Sequence, residues 1–341
     1  MPPSLVIQTS FLGDVILTTP LIAELAMRGP VDVVTTPAAA PLLANHPAIR
    51  EVIVYDKRGS DSGPFGMMRL ARRVRAGGYD AAYLAQGSHR SGMLARLAGI
   101  PTRVGFDTSA GTVWYTKRVR HRSDRHHAER LWRLAAGDAA PDPAPETIRP
   151  RLHPSPADRE VVDGLLRGVP TGGATLIALA PGSVWGTKRW PHFPALAERL
   201  ARLASTHRIV VIGSAADRPL AAAIAGAGGT DRVIDATGGL SLLASAALLE
   251  RCAALVTNDS APLHLASAMG TPTVAIFGST VPAFGFGPLA PRRAIAEITG
   301  LECRPCSAHG PQSCPLGHFK CMKELDVARV LDRVLSVTGP A

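Results

Sequence analysis

The chain has 341 residues, of which 46% are apolar and 19% are charged, a balance that supports a folded core and excludes an intrinsically disordered chain. Its length suggests two domains or one large one, and its 33 glycines and 29 prolines indicate many turns without reaching the level of a low-complexity chain. An excess of 37 Lys and Arg over 27 Asp and Glu gives a formal charge of +10, which fits an anionic partner, a membrane surface or simple solubility.

Short apolar runs alternate with longer amphipathic stretches in the first hundred residues. The runs predict strands at 5–7, 31–34, 51–55 and 79–84, and the stretches predict helices at 15–28 and 67–76, with a turn at 10–13. Strands of this length separated by helices are typical of βαβ units, which build a parallel sheet.

A proline-rich stretch then interrupts the pattern, since residues 137–145 carry three prolines and further prolines follow at 150, 154 and 156. Beyond it the alternation restarts, with strands predicted at 175–179, 208–212, 232–234, 254–257 and 273–277. We therefore predict domains at 1–150 and 151–341, each an α/β unit, with the last helix a candidate to pack back on the first domain. Ligands of such sheets bind at the carboxyl ends of the strands, and two halves place the expected site in the cleft between them.

The motif Ser10-Phe11-Leu12-Gly13-Asp14 follows the first predicted strand directly. Gly13 permits a tight turn from strand to helix, so Asp14 lies at or near a helix start on the ligand-binding edge. Two interpretations remain open. The carboxylate either caps the helix by accepting backbone N–H bonds, or acts as a general base that takes a proton from an attacking hydroxyl.

The loop at 180–191, after the first strand of the second half, combines glycine, hydroxyl side chains and Lys188. Small residues allow a backbone to approach phosphates closely, and a lysine supplies a point charge to a diphosphate. The alternative is an ordinary loop with Lys188 in solvent. Asp217, after a later strand, either accepts hydrogen bonds from ribose hydroxyls or caps its own helix.

The segment 256–266 is the most informative in the second half. A strand ends at Thr257 and a helix starts within Asp259–Pro262, where Asp259 or Ser260 can cap it. The N–H groups of that first turn form an anion site, and His264 follows Ser260 at a spacing of four, on the same side of the helix. The second half is therefore predicted to bind a nucleoside diphosphate.

Basic residues are concentrated between Lys117 and Arg133. This run predicts either a solvated helix face or a docking surface for a polyanion. No nucleic-acid-binding motif accompanies it, and no aromatic residues interleave the charges in the manner of nucleic-acid-binding proteins.

Four of the five cysteines lie close together, as Cys303-x₂-Cys306-x₇-Cys314-x₆-Cys321. This spacing is compatible with a structural zinc site, but reduced thiols or a transient disulfide fit it as well, so no metal site is assigned. The chain lacks the apolar run of about 18 residues that a membrane span requires, and its first residues make a poor signal peptide. We expect a cytoplasmic protein.

Four of these motifs occur in the order and at the spacing of glycosyltransferase family 9, the bacterial lipopolysaccharide heptosyltransferases. The chain resembles this family from about residue 4 to residue 335, and its cysteine-rich tail is more similar to the heptosyltransferase II branch than to the heptosyltransferase I branch. The segments that carry the resemblance are Ser10–Asp14 with Pro20, Arg90-Ser91-Gly92, Gly99-Ile100-Pro101, Lys188–Pro191, Gly213-Ser214 with Asp217, and Asn258–Ala261 with His264.

The resemblance implies a GT-B fold of two Rossmann-like domains with the active site between them. It also implies transfer of heptose from ADP-L-glycero-β-D-manno-heptose to the lipopolysaccharide inner core, with a heptosyl-Kdo2-lipid A type acceptor. Inversion, no metal and no cofactor are implied for the reaction. The expected partners are the donor and an anionic acceptor at the inner face of the cytoplasmic membrane, with no nucleic acid, for a monomer that is cytoplasmic or peripheral to that membrane.

Carried over by position, the resemblance makes Asp14 the general base and Lys188 the residue that contacts the donor phosphates. Leu240 matches an apolar residue that packs on adenine, Val184 lacks the hydroxyl that the family has there, and Ala261 replaces a glycine. The implied donor-binding residues are Gly13, Ser183, Val184, Lys188, Asp217, Leu240, Asp259, Ser260, Ala261 and His264. Because the first domain takes the acceptor in this fold, the acceptor-binding candidates are Arg90, Arg118, Arg120 and Arg122.

Two other classes of function remain. Another GT-B transferase or a nucleotide-sugar epimerase would use the same phosphate site with a different sugar. A two-domain binding protein without chemistry would bind the donor but release no ADP when an acceptor is supplied.

Overall fold

Two six-stranded sheets, each with every strand parallel to its neighbours, form the framework of the protein. The computed structural model describes residues 2–167 and 175–339, and the chain divides into one unit of Met1–His153 and another of Pro154–Ala341. Both sheets have the strand order of a Rossmann fold, in which the first strand of the unit lies inside the sheet. The predicted fold class, α/β with two Rossmann-like domains of the GT-B type, is confirmed.

The first unit has strand order β3-β2-β1-β4-β5-β6. Its strands are β1 (Ser4–Ile7), β2 (Val31–Thr35), β3 (Glu51–Val54), β4 (Ala81–Leu84), β5 (Thr102–Phe106) and β6 (Lys117–Val119). Its helices are α1 (Leu12–Leu17), α2 (Thr19–Ala26), α3 (Ala40–Leu43), α4 (Gly63–Ala76), α5 (His89–Leu97), α6 (His127–Ala136) and α7 (Pro145–Ile148). β1 pairs with β2 on one side and β4 on the other, so its apolar run is fully enclosed.

The second unit has strand order β12-β11-β10-β7-β8-β9. Its strands are β7 (Thr175–Ala180), β8 (His207–Val211), β9 (Val233–Asp235), β10 (Ala254–Asn258), β11 (Thr273–Phe277) and β12 (Arg293–Glu297). Its helices are α8 (Pro156–Leu166), α9 (Phe193–Leu203), α10 (Arg218–Gly228), α11 (Leu242–Glu250), α12 (Ala261–Met269), α13 (Lys320–Lys323) and α14 (Val327–Thr338). The last helix, α14, packs on α9 and on the strands β10–β12 of its own unit.

The predicted single helix at 15–28 is wrong, because two helices occupy this stretch and meet at Thr18. Pro20 lies in the first turn of α2, where its missing N–H leaves the carbonyl of Ile16 without its usual partner. The hydroxyl of Thr19 donates to that carbonyl at 2.9 Å instead, so the backbone hydrogen bonds of the two helices are not continuous here. The predicted turn at 10–13 is also shorter than expected, because α1 starts at Leu12 and includes Asp14 in its first turn.

The basic run from Lys117 to Arg133 is not a solvated helix face. Its beginning forms the edge strand β6, and its end lies in α6, where Arg133 is only 1% exposed. The Arg133 guanidinium bonds Glu129 at 3.0 Å and Asp142 at 2.8 Å, and it donates to the Ala140 carbonyl at 3.0 Å. Arg133 therefore ties the start of the proline-rich segment to α6.

We expect Arg133→Ala to lower the free energy of unfolding by about 3–5 kcal/mol, because it removes the nearer cation from the buried Glu129 carboxylate and leaves only Arg125, at 3.9 Å. Urea denaturation measures this loss. Arg118→Ala, on the exposed part of the same basic run, is the matched control and should change stability by less than about 0.5 kcal/mol. Equal stability of the two variants would contradict the structural role of Arg133.

Within residues 2–167 and 175–339, no helix combines the length and the apolar character needed to cross a bilayer.

Candidate active site

The first unit has a cavity of about 460 Å³ at the carboxyl edge of its sheet. It is lined by the residues that follow β1, β2, β3 and β4, which is where a Rossmann sheet binds ligands. The lining residues are Thr9, Ser10, Phe11, Thr36, Pro37, Ala38, Tyr55, Asp56, Lys57, Arg58 and Gln86. Ser10 and Phe11, the first residues of the motif that follows the first strand, therefore form one wall of this cavity.

Asp14 lies in the first turn of α1, directly after this wall. One carboxylate oxygen, Oδ2, accepts the Phe11 N–H at 3.3 Å, and the other, Oδ1, lies 3.5 Å from Nε2 of His127. Arg130 is near enough to interact electrostatically with the same carboxylate. The capping interpretation is therefore correct for one oxygen, while 16% of the side chain remains accessible.

Three cations, Lys57, Arg58 and Arg90, lie close together beside the cavity. Lys57 donates to the Thr9 carbonyl at 2.8 Å, and its pKa is lowered by burial and by its neighbours Arg58 and Arg90. Arg90 also interacts with the Tyr55 hydroxyl, whose pKa is raised mainly by burial. Of the predicted acceptor residues, Arg90 is thus the one that the structure places beside the cavity cations.

Arg118, Arg120 and Arg122 lie elsewhere. They belong to β6 and the loop after it, at the sheet edge opposite β3. Since neighbouring strands are about 4.8 Å apart, β3 and β6 are separated by about 24 Å. Arg122 lies 3.6 Å from Asp124, and the backbone N–H of Arg120 bonds Asp138. The structure therefore places these three arginines at the sheet edge away from Lys57.

In the second unit, Lys188 and Asp259 form a buried ion pair at the carboxyl edge of the sheet. The Lys188 ammonium donates to Asp259 Oδ2 at 2.6 Å, and the Thr280 hydroxyl donates to the same oxygen at 2.7 Å. Lys188 is only 9% exposed, so the interpretation of a solvated loop lysine is wrong. Loops that follow β7, β10 and β11 thus meet at one carboxylate.

The start of α12 lies beside this pair. Ser260 is its N-cap residue, but its hydroxyl points back to the Asn258 carbonyl at 3.3 Å, and its side chain makes no capping hydrogen bond to the helix. The positive end of the helix dipole and the first-turn N–H of Ala261 are therefore available to an anion.

His264 lies one turn into α12 and is 5% exposed. Burial lowers its pKa to about 4, with Asp259 opposing the shift and Lys188 adding to it, so the imidazole is neutral at physiological pH. Its Nδ1 is buried and has no hydrogen-bond partner among the described residues. The predicted cluster of Lys188, Asp259, Ser260, Ala261 and His264 is thus assembled in space, with an unused polar atom inside it.

Two further predicted donor residues line the same edge. The Asp217 carboxylate accepts the N–H and the hydroxyl of Ser214, each at 2.8 Å, so the capping interpretation holds for it. It also lies over the backbone of Gly182 and Gly213, where an added Cβ would come within 2.4 and 2.8 Å of it. Leu240 is half-buried after β9. These positions leave both side chains at the strand ends, where the ribose and base of a nucleotide are expected.

The remaining predicted donor residues are one helical glycine and two residues on a loop. Gly13 is in the first turn of α1, in the first unit. The Ser183 hydroxyl accepts the Trp185 N–H at 3.3 Å, and Val184 is 71% exposed. These loop side chains are therefore less fixed by their surroundings than Lys188.

The cysteine-rich segment supports the loop that carries Lys188. The Thr187 hydroxyl donates to the Pro311 carbonyl at 2.6 Å, and Gly186 N–H donates to Gln312 Oε1 at 3.1 Å. Cys303, Cys306, Cys314 and Cys321 are free thiols, close enough to interact electrostatically, and burial raises the pKa of Cys321 to about 11. In the two described ranges, no group of three or more His, Cys, Asp or Glu side chains is placed to hold a metal ion. The zinc interpretation receives no support from this geometry and stays untested.

Sequence reasoning missed Thr280, His127 and Lys57. Thr280 and Lys57 each follow a strand by a few residues. The rule that ligand-binding residues follow the carboxyl ends of parallel strands, which placed Asp14 and Asp259, therefore also applied to them. His127 gave no such signal, because its proximity to Asp14 depends on how α6 packs on α1.

A family model described as glycosyltransferase family 9 (heptosyltransferase) matches residues 67–315. The chain belongs to glycosyltransferase family 9. The resemblance predicted from the motifs is confirmed, and this family 9 chain is a glycosyltransferase rather than a binding protein without chemistry.

Curated relatives of the family 9 enzyme span nearly all of it. It is 29% identical over 313 residues to lipopolysaccharide heptosyltransferase 2 of Escherichia coli K12, which covers 87% of this chain and 89% of the relative. It is 30% identical over 318 residues to lipopolysaccharide heptosyltransferase 1 of Pseudomonas aeruginosa, covering 89% and 85%. The solved structure of E. coli ADP-heptose lps heptosyltransferase II superposes with a TM-score of 0.80 at 25% identity, covering 99% of this chain and 98% of that one.

Proposed function

We propose that this family 9 enzyme is an inverting, metal-independent heptosyltransferase. It moves heptose from ADP-L-glycero-β-D-manno-heptose to the inner core of lipopolysaccharide, with a heptosyl-Kdo2-lipid A type acceptor. The observation that carries the proposal is the buried Lys188–Asp259–Thr280 cluster beside the uncapped start of α12, in a chain whose relatives are lipopolysaccharide heptosyltransferases.

The donor half of the reaction uses the second unit. As the bond between heptose and diphosphate breaks, negative charge develops on the departing ADP. Lys188 and the N–H groups at the start of α12 stabilise that charge, and they are fixed before the reaction begins. Asp259 repels a phosphate, so its role in the proposal is to hold the Lys188 ammonium in place.

The acceptor half uses the first unit. Asp14 takes the proton of the acceptor hydroxyl as this hydroxyl attacks the anomeric carbon on the face opposite ADP, which inverts the configuration. The enzyme acts in the cytoplasm, as a monomer, on an acceptor at the inner face of the membrane.

The acceptor carries carboxylates and phosphates, so cations should select it. Lys57 and Arg58 line the cavity of the first unit and Arg90 lies beside Lys57, whereas Arg118, Arg120 and Arg122 lie toward the sheet edge opposite β3. We therefore assign first contact with the anionic core to the cavity cations.

We expect Arg90→Ala to raise the acceptor KM about ten- to a hundred-fold, because a charge-assisted hydrogen bond contributes about 1.5–3 kcal/mol. The donor KM should stay unchanged, because all the predicted donor residues except Gly13 belong to the second unit. Steady-state kinetics with each substrate varied in turn measure both constants. The triple charge reversal at Arg118, Arg120 and Arg122 is the comparison, and a larger rise in acceptor KM there would move the acceptor site to β6.

A turnover assay tests the proposed function as a whole. The purified enzyme, ADP-heptose and a heptose-deficient core acceptor should release ADP and yield a heptosylated product, with and without EDTA. Acceptors carrying no heptose and one heptose separate the first transfer from the second. Turnover only with UDP- or GDP-sugars would identify another transferase, and conversion of the donor without acceptor would identify an epimerase.

A further inference from the structure

The outward face of α4 combines large apolar side chains with arginines. Phe65 is 89% exposed and Met68 is 42% exposed. Positions 65, 68, 69 and 72 follow the i, i+3, i+4, i+7 spacing that places residues on one helix face. The helix carries four arginines, at 69, 72, 73 and 75, and no acidic residue.

The opposite face of α4 is committed to the core. Met67, Leu70 and Val74 are buried and belong to the apolar cluster beneath the first sheet. Packing of this face against the core therefore fixes the helix. Phe65 stays exposed although the same helix has buried apolar positions.

The arginines differ in their partners. Arg69 pairs with Asp61 at 3.0 Å, Arg73 pairs with Glu51 at 2.8 Å, and Arg75 donates to the Leu97 carbonyl at 2.7 Å. Arg72 makes no hydrogen bond or ion pair with the described residues, and it lies one helical turn after Met68 and about two turns after Phe65. A free cation thus stands next to the exposed apolar pair.

We infer that α4 docks the enzyme on an anionic phospholipid bilayer, with Phe65 and Met68 inserted at the interface and Arg72 on the lipid phosphates. An amphipathic helix with an aromatic residue and basic side chains outward lies in the plane of such a surface, held by apolar burial and by charge. The +10 charge of the chain favours the same partner over a neutral one.

The position of α4 relative to the cavity supports this surface. The loop between β3 and α4 contributes Tyr55, Asp56, Lys57 and Arg58 to the cavity wall. Asp56 N–H donates to Asp61 Oδ2 at 3.1 Å, and Asp61 pairs with Arg69, so the loop is tied to the helix. Docking through α4 would hold the cavity next to the bilayer, which matters for catalysis only if the proposed lipid-linked acceptor is correct.

Sedimentation with lipid vesicles tests the inference, and it needs neither donor nor acceptor. Wild-type enzyme should bind vesicles of phosphatidylglycerol and phosphatidylcholine in equal parts, and bind pure phosphatidylcholine vesicles much more weakly. Phe65→Ser with Met68→Ser should lower partitioning by about ten-fold or more. Arg72→Ala should lower it about five-fold on anionic vesicles and leave neutral vesicles unaffected.

Met27→Ser is the matched control, because Met27 is 72% exposed at the end of α2, outside this face. It should bind vesicles like the wild type, and thermal unfolding should show all variants folded. Equal vesicle binding by the Phe65/Met68 variant and the wild type would overturn the inference. Failure of the wild type to bind vesicles would also overturn it. A wild-type dimer in sedimentation velocity that dissociates in the Phe65/Met68 variant would do so as well, because this face would then bind a second copy of the chain. All variants should turn over an acceptor that lacks acyl chains at the same rate. Absence of this turnover in the wild type would count against the proposed function and not against docking.

Discussion

Asp14→Asn is expected to lower kcat by about 10²–10⁴, the range in which a positioned general base contributes to proton transfer. Asparagine has nearly the same shape as aspartate and retains an oxygen to accept the Phe11 N–H, so the start of α1 should be preserved. What it loses is the ability to take a proton from the acceptor hydroxyl. Single-turnover kinetics with saturating donor and acceptor measure the chemical step directly.

Two controls separate catalysis from folding in this experiment. Calorimetric titration with ADP should give an unchanged dissociation constant, because the residues assigned to the nucleotide lie in the second unit, apart from Gly13, which the substitution leaves in place. Asp80→Asn removes an exposed carboxylate of the same unit and should leave kcat unchanged. If Asp14→Asn turned over at the wild-type rate, Asp14 would be a helix cap only and another base would be required.

The positions of the site loops were predictable from the sequence, because they follow from strand ends. Apolar runs at 5–7 and 254–257 correspond to β1 and β10, and parallel strands carry ligand residues after their carboxyl ends. Asp14 and Asp259 could be placed by this rule alone. The same rule applies to Lys57, which follows β3, although the sequence analysis did not select it.

The environment of each side chain was not predictable in the same way. A lone lysine on a loop is normally solvated, and nothing near Lys188 in the sequence indicates otherwise. Its burial depends on Asp259, 71 positions later, and on Thr280 beyond that. Arg133 illustrates the same limit. Its ion pair with Glu129 could be predicted from the i,i+4 spacing, but its ion pair with Asp142 depends on the path of the proline-rich segment.

Lys188→Ala should lower kcat/KM for the donor by about 10²–10³, the effect typical of removing one preorganised group that stabilises transition-state charge. The substitution also leaves the Asp259 carboxylate buried without its cation, which destabilises the fold and raises the negative potential where the diphosphate must bind. The single variant therefore mixes two effects, and a second variant has to separate them.

A double-mutant cycle with Asp259→Asn makes this separation. If Asp259 acts only by holding Lys188, Asp259→Asn alone should lower kcat/KM, but adding it to Lys188→Ala should cause no further loss. It should even restore part of the stability, because no unpaired charge remains. If Asp259 instead contacts the donor directly, the two losses in kcat/KM should add.

Thr280→Val, which removes the other donor to Asp259 Oδ2, should reproduce a weaker form of the Asp259→Asn defect, and Thr280→Ser should rescue it.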